Sequence, residues 1–255
     1  HQVHGALATP VSPEQVERYA RHLVLKEIGG AGQNALLDAH VAVVGAGGLG
    51  GPAALYLAAA GVGHITLIDD DTVSLSNLQR QVQFGTEDIG QSKIGVLAAR
   101  MRAINPEVKT GALSKRLDAT NATILLEDHD LILDGTDSFA TRFAVNDAAL
   151  ALGTPLLSGA VGRFDAQLGL FGPPGPCYRC FVPDLPPQEE TCAETGVVGA
   201  LTGIAGSAMA LEAIKWITGA GETLAGRLWV FDGLGMTSRT VGLSRDPECP
   251  ACFNL

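Results

Sequence analysis

The chain has 255 residues and a formal net charge of −10; 46% of its residues are hydrophobic and 17% are charged. This balance supplies a core and excludes overall disorder. The acidic charge argues against a nucleic-acid partner, which normally requires a basic patch. No apolar run reaches the ~18 residues of a membrane span, so we expect no membrane association.

The predicted elements alternate between helix and strand along the first 162 residues. A helix is predicted over 12–28, because Ser12, Pro13 and Gln15 fit its N-cap, first turn and capping box. Further helices are predicted over 30–39, 48–60, 92–104 and 139–153, and strands over 40–46, 64–71, 107–115, 130–138 and 154–162. This alternation favours an α/β fold with a Rossmann-like, doubly wound and mostly parallel sheet.

The pattern changes after residue 162. A strand and a Pro/Gly-rich loop occupy 163–188, a long apolar helix 197–218, and two strands 226–233 and 237–245. We interpret these as an antiparallel C-terminal extension of the sheet within a single domain, residues 1–255. Residues 1–11 have no signal-peptide pattern; we expect them to be disordered or foreign to the natural protein, and the protein to be cytoplasmic.

A glycine-rich turn predicts a nucleotide site. Gly45, Gly47 and Gly50 form G-x-G-x-x-G between a strand and a helix, and Asp69 ends the next strand. In this context phosphates bind at the helix N-terminus and the acid binds ribose hydroxyls. The alternative is a turn that only packs tightly. The motif does not by itself identify the nucleotide.

The residues after Asp69 favour a triphosphate. Asn77, Arg80 and Lys93 form a polar, cation-bearing stretch suited to phosphate charge, although any one of them alone is an ordinary surface residue. Asp134 or Asp137, at the end of the fourth strand of the sheet, lies where open α/β sheets bind ligands, and either could hold Mg²⁺. The alternative for these acids is helix capping.

The five cysteines are confined to the last third of the chain. Cys177-x-x-Cys180 and Cys249-x-x-Cys252 have the spacing of a four-thiolate, structural zinc site, and disulfides are the alternative. Cys192 is left over. Three histidines show no pattern of catalytic partners and are interpreted as structural or exposed: His22, His64 and His129.

The chain resembles the ubiquitin-activating-enzyme-like superfamily, and within it the MoeB/ThiF group of sulfur-carrier-protein adenylyltransferases. The resemblance rests on an ordered set of motifs from Arg18 to Cys252: RYARH, GAGGLGGPAALYLAAAGVGHITLIDDDTVSLSNLQRQ, GQSKIGVLAAR, INP, LILDGTDS, CYRC, TCAETGVVG and CPAC. It implies a homodimer that uses ATP and Mg²⁺ to adenylate the C-terminal Gly-Gly carboxylate of a ubiquitin-like, MoaD- or ThiS-like carrier, for molybdopterin or thiamine biosynthesis.

The resemblance also implies residue roles. Gly48 and Asp69 match nucleotide-loop and ribose contacts, Asp137 the Mg²⁺-linked catalytic acid, and Arg21 an arginine that reaches the γ-phosphate in the neighbouring subunit. Asn77, Arg80 and Lys93 match phosphate-binding residues, and Ser76 is a further candidate for cofactor binding. Ser138 stands where the family usually has Asn, so altered adenine-side contacts are expected.

Some implications stay open. A carboxylate with a pKa of roughly 3.5 is already ionised at neutral pH and needs no general base. Cys192 is interpreted as a crossover-loop residue without an essential role in adenylation, with acyl transfer as the alternative. No rhodanese domain is expected after Cys252, so a separate protein would donate sulfur. The rival functions are an NAD-dependent oxidoreductase and a non-catalytic binder of a ubiquitin-like partner.

Overall fold

One eight-stranded sheet organises the chain in this computed structural model, which describes residues 11–184 and 196–253. The strand order is β3-β2-β1-β4-β5-β6-β7-β8. The strands are β1 His40–Val44, β2 His64–Ile68, β3 Lys109–Leu113, β4 Leu131–Asp134, β5 Leu156–Val161, β6 Asp165–Phe171, β7 Arg227–Asp232 and β8 Thr237–Gly242. In the sheet, β3, β2, β1, β4 and β5 run parallel to one another. The pairs β5–β6, β6–β7 and β7–β8 are antiparallel. The predicted fold class is confirmed.

Helices cover both faces of the sheet. They are α1 Pro13–Arg18, α2 Ala20–Leu23, α3 Gly29–Asp38, α4 Gly50–Ala60, α5 Lys93–Ile104, α6 Ala122–Leu126, α7 Phe139–Leu152, α8 Tyr178–Phe181 and α9 Gly199–Thr218. Alternate residues of β1 enter opposite cores: Val41 and Val43 pack with α3, α4, α5 and α9, whereas Ala42 and Val44 pack with α6, α7 and α8. Across the described ranges, none of the helices is long and apolar enough to cross a membrane.

The single helix predicted over 12–28 is wrong, because the chain breaks at Tyr19 into α1 and α2. Tyr19 is buried, and its hydroxyl accepts a hydrogen bond from Asn105 Nδ2 at 2.9 Å. A Cβ added at Gly61 would lie 2.6 Å from the tyrosine ring. This inward turn of one aromatic side chain is a tertiary contact that local periodicity cannot reveal. Helices α6 and α8, of five and four residues, were also not predicted.

A histidine cluster lies at the amino edge of the parallel strands. The rings of His40 and His64 stack at 3.8 Å between centroids, and His129 lies 4.0 Å from His40. Burial lowers the pKa of His40 to about 4, and the two neighbouring histidines add to the effect. His22 instead contacts Gln33 at 3.0 Å. These partners agree with the structural interpretation of His22, His64 and His129.

Candidate active site

A cleft of about 430 Å³ opens at the carboxyl edge of β1, β2 and β4. The strand order reverses between β1 and β4, which is where open α/β sheets bind ligands. Of the residues predicted from sequence, the cleft is lined by Gly45, Gly47, Gly48, Asp69, Asn77, Arg80, Lys93, Asp137 and Ser138. One topological feature thus gathers residues from five separate stretches of the chain: 45–48, 69, 77–80, 93 and 137–138.

The glycine loop is closely packed around the start of α4. Gly45 has φ of 88°, a left-handed conformation that favours glycine. A Cβ at Gly50 would lie 1.8 Å from the Gly45 carbonyl oxygen, so no other residue fits there. The main-chain N–H groups at this helix N-terminus are suited to an anion. The loop is therefore tightly packed, which fits the tight-packing alternative and is also what a phosphate-binding turn requires.

Asp69 fastens the glycine loop to the end of β2. Its Oδ2 accepts a hydrogen bond from the Ala46 N–H at 2.7 Å, and its Oδ1 accepts one from the Asp71 N–H at 2.8 Å. Burial raises the pKa of the Asp69 carboxyl, while these hydrogen bonds oppose that rise. The side chain is consequently held in one orientation at the wall of the cleft.

The two predicted cations differ in their partners. Lys93 is buried, and its Nζ lies 2.8 Å from Oδ2 of Asp71, whose side chain is 66% exposed. Arg80 is half-buried, and its Nη1 donates to the Ser76 carbonyl at 2.9 Å. Within the described ranges Arg80 has no carboxylate partner. Among the described residues, the charge of Arg80 is thus not shared with a carboxylate, whereas that of Lys93 is shared with Asp71.

The two candidate acids after β4 have different environments. Asp134 is fully buried: its Oδ1 accepts from the Thr136 hydroxyl at 2.7 Å, and its Oδ2 accepts from the Ser158 hydroxyl at 2.9 Å. Asp137 is exposed and lines the cleft. The capping alternative is wrong for both acids, because Ser138 is the N-cap of α7. Asp134 is thus a structural group, and Asp137 is the acid that a ligand can reach.

Several cleft residues were missed by the sequence reasoning. They are Asp71, Gln81, Lys115, Arg116, Arg142, Gln167, Tyr178 and Thr202. Lys115 and Arg116 directly follow β3, so the rule that ligands bind at the carboxyl ends of strands could have found them. Arg142 and Tyr178 carry no such local signal. They enter the site through the packing of α7 and α8 against the sheet.

Two residues predicted for the nucleotide site, Arg21 and Ser76, lie apart from the cleft. Arg21 is exposed on α2 and does not line it. Ser76 is exposed and also does not line it; its Oγ lies 3.0 Å from Oγ of Ser74. Cys192 falls outside the described residues. The chain's own cleft therefore does not use Arg21, whose predicted role concerned a neighbouring subunit.

The other four cysteines meet in one cluster beside α7. Cys177 Sγ lies 3.8 Å from Cys180 Sγ and 3.6 Å from Cys249 Sγ, and Cys180 Sγ lies 3.5 Å from Cys252 Sγ. Tetrahedral zinc with Zn–S bonds of about 2.3 Å places its sulfurs about 3.8 Å apart. A disulfide requires an S–S distance of about 2.05 Å. The four cysteines are free thiols in a geometry that fits zinc.

Comparison with known proteins places the whole arrangement in one family. A family model described as "ThiF family" matches residues 19–251. The chain belongs to the ThiF family. The resemblance to the MoeB/ThiF group of adenylyltransferases is thereby confirmed, and this membership does not favour the oxidoreductase alternative.

Curated relatives of this ThiF-family chain carry names consistent with that group. The chain is 45% identical over 247 residues to "Sulfur carrier protein adenylyltransferase" of Thermus thermophilus, covering 94% of this chain and 91% of that protein. It is 46% identical over 237 residues to "Sulfur carrier protein ThiS adenylyltransferase" of Escherichia coli, covering 92% and 94%.

Solved structures confirm the fold of the family. The structure titled "Crystal structure of E. coli MccB + MccA-N7isoASN" superposes with a TM-score of 0.85 at 24% identity, covering 94% of this chain and 75% of that chain. At this identity the likeness establishes the fold alone.

Proposed function

We propose that the chain catalyses ATP-dependent adenylation of the C-terminal glycine carboxylate of a ubiquitin-like sulfur-carrier protein, giving an acyl-adenylate and pyrophosphate. The observation that carries the proposal is the cleft itself, which combines a phosphate-type glycine loop, the cation Arg80 and the exposed acid Asp137. Relatives named as sulfur-carrier adenylyltransferases support the carrier as substrate. The carrier would be MoaD-like or ThiS-like and serve molybdopterin or thiamine biosynthesis.

The reaction demands charge compensation more than proton transfer. A carboxylate oxygen forms a bond to the α-phosphorus of ATP while the bond to the bridging oxygen of the leaving pyrophosphate breaks. The carboxylate needs no general base, since it is ionised at neutral pH. Arg80 and Lys93 would stabilise the negative charge that builds on the phosphates. Lys115 and Arg116, exposed just after β3, add two further positive charges to the lining of the cleft.

Asp137 suits Mg²⁺ because its carboxylate is accessible and, in the described part of the chain, takes part in no ion pair. Bound Mg²⁺ would neutralise phosphate charge during the displacement. Asp69 would hold ribose hydroxyls beside Gly48. Asn77 would contact the phosphate side, and Ser138 would approach the adenine side.

The cysteine cluster would hold a structural zinc ion. Four thiolates fill a tetrahedral shell and leave no open coordination position for substrate. Cys177 and Cys249 are buried, so the ion would join the loop before α8 to the C-terminal segment. A reducing cytoplasmic location suits these free thiols.

The assembly is proposed to be a homodimer. Arg21 is exposed on α2, outside its own cleft, which leaves it accessible to a neighbouring subunit. A separate protein would deliver sulfur to the activated carrier.

ATP–pyrophosphate exchange with purified Gly-Gly-ended carriers tests the proposal. The wild-type chain should exchange with at least one carrier, and Asp137→Ala should abolish exchange while leaving the zinc content at about one ion per chain. Asp38→Asn is the matched control, since Asp38 is exposed at the end of α3, just before the amino end of β1. Absence of exchange with every carrier, together with tight NAD binding, would overturn the assignment.

A further inference from the structure

Gln81 has a buried polar atom that finds no hydrogen-bond partner in the described part of the chain. Its side chain is 4% exposed and lines the cleft, and its Oε1 is buried without a hydrogen bond among the described residues. Gln83 also has an unpartnered Oε1, but its Nε2 donates to the Ala46 and Gly47 carbonyls at 3.1 and 2.9 Å. Gln83 therefore braces the glycine loop, whereas Gln81 has no such function.

The main chain around Gln81 is fixed by hydrogen bonds, and its carboxamide lies near the glycine loop. The Gln81 N–H donates to the Asn77 carbonyl at 2.9 Å, and the Thr202 hydroxyl donates to the neighbouring Arg80 carbonyl at 2.9 Å. A Cβ added at Gly47 would lie 3.5 Å from Gln81 Nε2. The segment is thus fixed to α9, and the Gln81 side chain lies close to the loop. A buried polar group in such a fixed position costs free energy unless a ligand supplies its hydrogen bond.

The cleft has two chemically different ends. Charged side chains come from the ends of β2, β3 and β4 and the start of α5: Asp69, Lys93, Lys115, Arg116 and Asp137. The residues from β5, β6 and α9, with the residue before its N-cap, are uncharged: Ala160, Val161, Gln167, Val197 and Thr202. Arg142 of α7 also lines this end, but its guanidinium is already hydrogen-bonded to Ser158 and Gly159 of β5. Because Thr202 contacts the main chain immediately before Gln81, this carboxamide belongs to the boundary with the uncharged end. A nucleoside triphosphate matches the charged end, and the uncharged main chain of a peptide matches the other end.

We infer that Gln81 hydrogen-bonds the main chain of the carrier's C-terminal tail as it lies across the uncharged end of the cleft. The inference rests on the proposed function. Glycine has no side chain to recognise, so an enzyme can form hydrogen bonds to it only through its main-chain N–H and C=O groups. A carboxamide has both donors and an acceptor, as a peptide group does. It is also neutral and adds no negative charge beside the phosphates.

The test separates the two substrates. We measure KM for a Gly-Gly-ended carrier and KM for ATP in ATP–pyrophosphate exchange with Gln81→Met and with the matched control Gln79→Met, since Gln79 is exposed on the same segment. Loss of one hydrogen bond should raise the carrier KM of Gln81→Met about tenfold and leave the ATP KM unchanged. Gln79→Met should alter neither. Gln81→Asn, which keeps the amide but shortens its reach, should also raise only the carrier KM, and it serves if Gln81→Met fails to fold.

Each other outcome is decisive. A rise in the ATP KM with an unchanged carrier KM would make Gln81 a nucleotide contact and refute the inference alone, as would no change in either constant. Failure of the wild-type chain to exchange with any carrier would refute the proposed function and this inference together. The wild-type measurement therefore distinguishes the two failures.

Discussion

Replacing Arg142 with Met should destabilise the loop that carries Asp137. Arg142 is 5% exposed, and it donates to Ser158 Oγ at 3.1 Å, to the Gly159 carbonyl at 2.9 Å and to the Thr136 carbonyl. Its Nη1 lies 3.8 Å from Asp134 Oδ2. Met preserves the apolar stem of the side chain but leaves Asp134 buried without its counter-charge.

The magnitude follows from burial. Removing one partner of a buried ion pair costs about 3–5 kcal/mol. Asp134 keeps its hydrogen bonds from Thr136 and Ser158, so we expect the lower end, about 3 kcal/mol. Arg179→Met is the matched control: Arg179 pairs with Asp147 through two hydrogen bonds of 2.9 and 2.8 Å. Its partner is half exposed, so about 1 kcal/mol or less is expected.

Urea denaturation at fixed protein and zinc concentrations measures both losses in the free energy of unfolding. Adding Asp134→Asn to Arg142→Met removes the unpaired charge and should recover more than about 1 kcal/mol of the loss. If Arg142→Met loses no more than Arg179→Met, or if Asp134→Asn recovers nothing in the Arg142→Met background, the buried pair is not the source of the stability.

Three further predictions concern the glycine loop, the cysteine cluster and the histidine cluster. Gly50→Ala should abolish ATP–pyrophosphate exchange and lower the melting temperature, since its Cβ would meet the Gly45 carbonyl oxygen at 1.8 Å; Gly203→Ala, with nothing within 4 Å of the new Cβ, should do neither. Cys249→Ser should release zinc, measured by elemental analysis, and retention of wild-type zinc would contradict the cluster's role. Burial lowers the pKa of His40 in the folded chain to about 4, whereas its pKa in the unfolded chain is about 6.5. Between these values the unfolded chain binds a proton that the folded chain does not, so the free energy of unfolding decreases as the pH falls from 6.5 towards 4. His40→Gln should show a shallower loss of melting temperature between pH 6.5 and 4.5, and an unchanged slope would refute this account.

The sequence alone was sufficient for the sheet and the cleft's location. Alternating strands and helices predicted all eight strands, since each pattern of apolar residues and turn glycines is local. Gly45, Asp69 and Arg80 could be identified because the carboxyl ends of parallel strands meet at one edge whatever the details of packing. The two C-x-x-C pairs were recognisable by spacing, which reflects the reach of a short loop around one ion.

Only the tertiary structure decided which of these residues face a ligand. Asp134 and Asp137 are equivalent candidates in the sequence, but Asp134 ends the central strand β4 against Ser158 and is buried, whereas Asp137 lies beyond the strand and is exposed. Likewise, Lys93 gains Asp71 as a partner 22 residues away, and the Oε1 of Gln81 is buried without a hydrogen bond from any described residue. Burial, charge pairing and unsatisfied hydrogen bonds arise from contacts between distant segments, so no local pattern of residues encodes them.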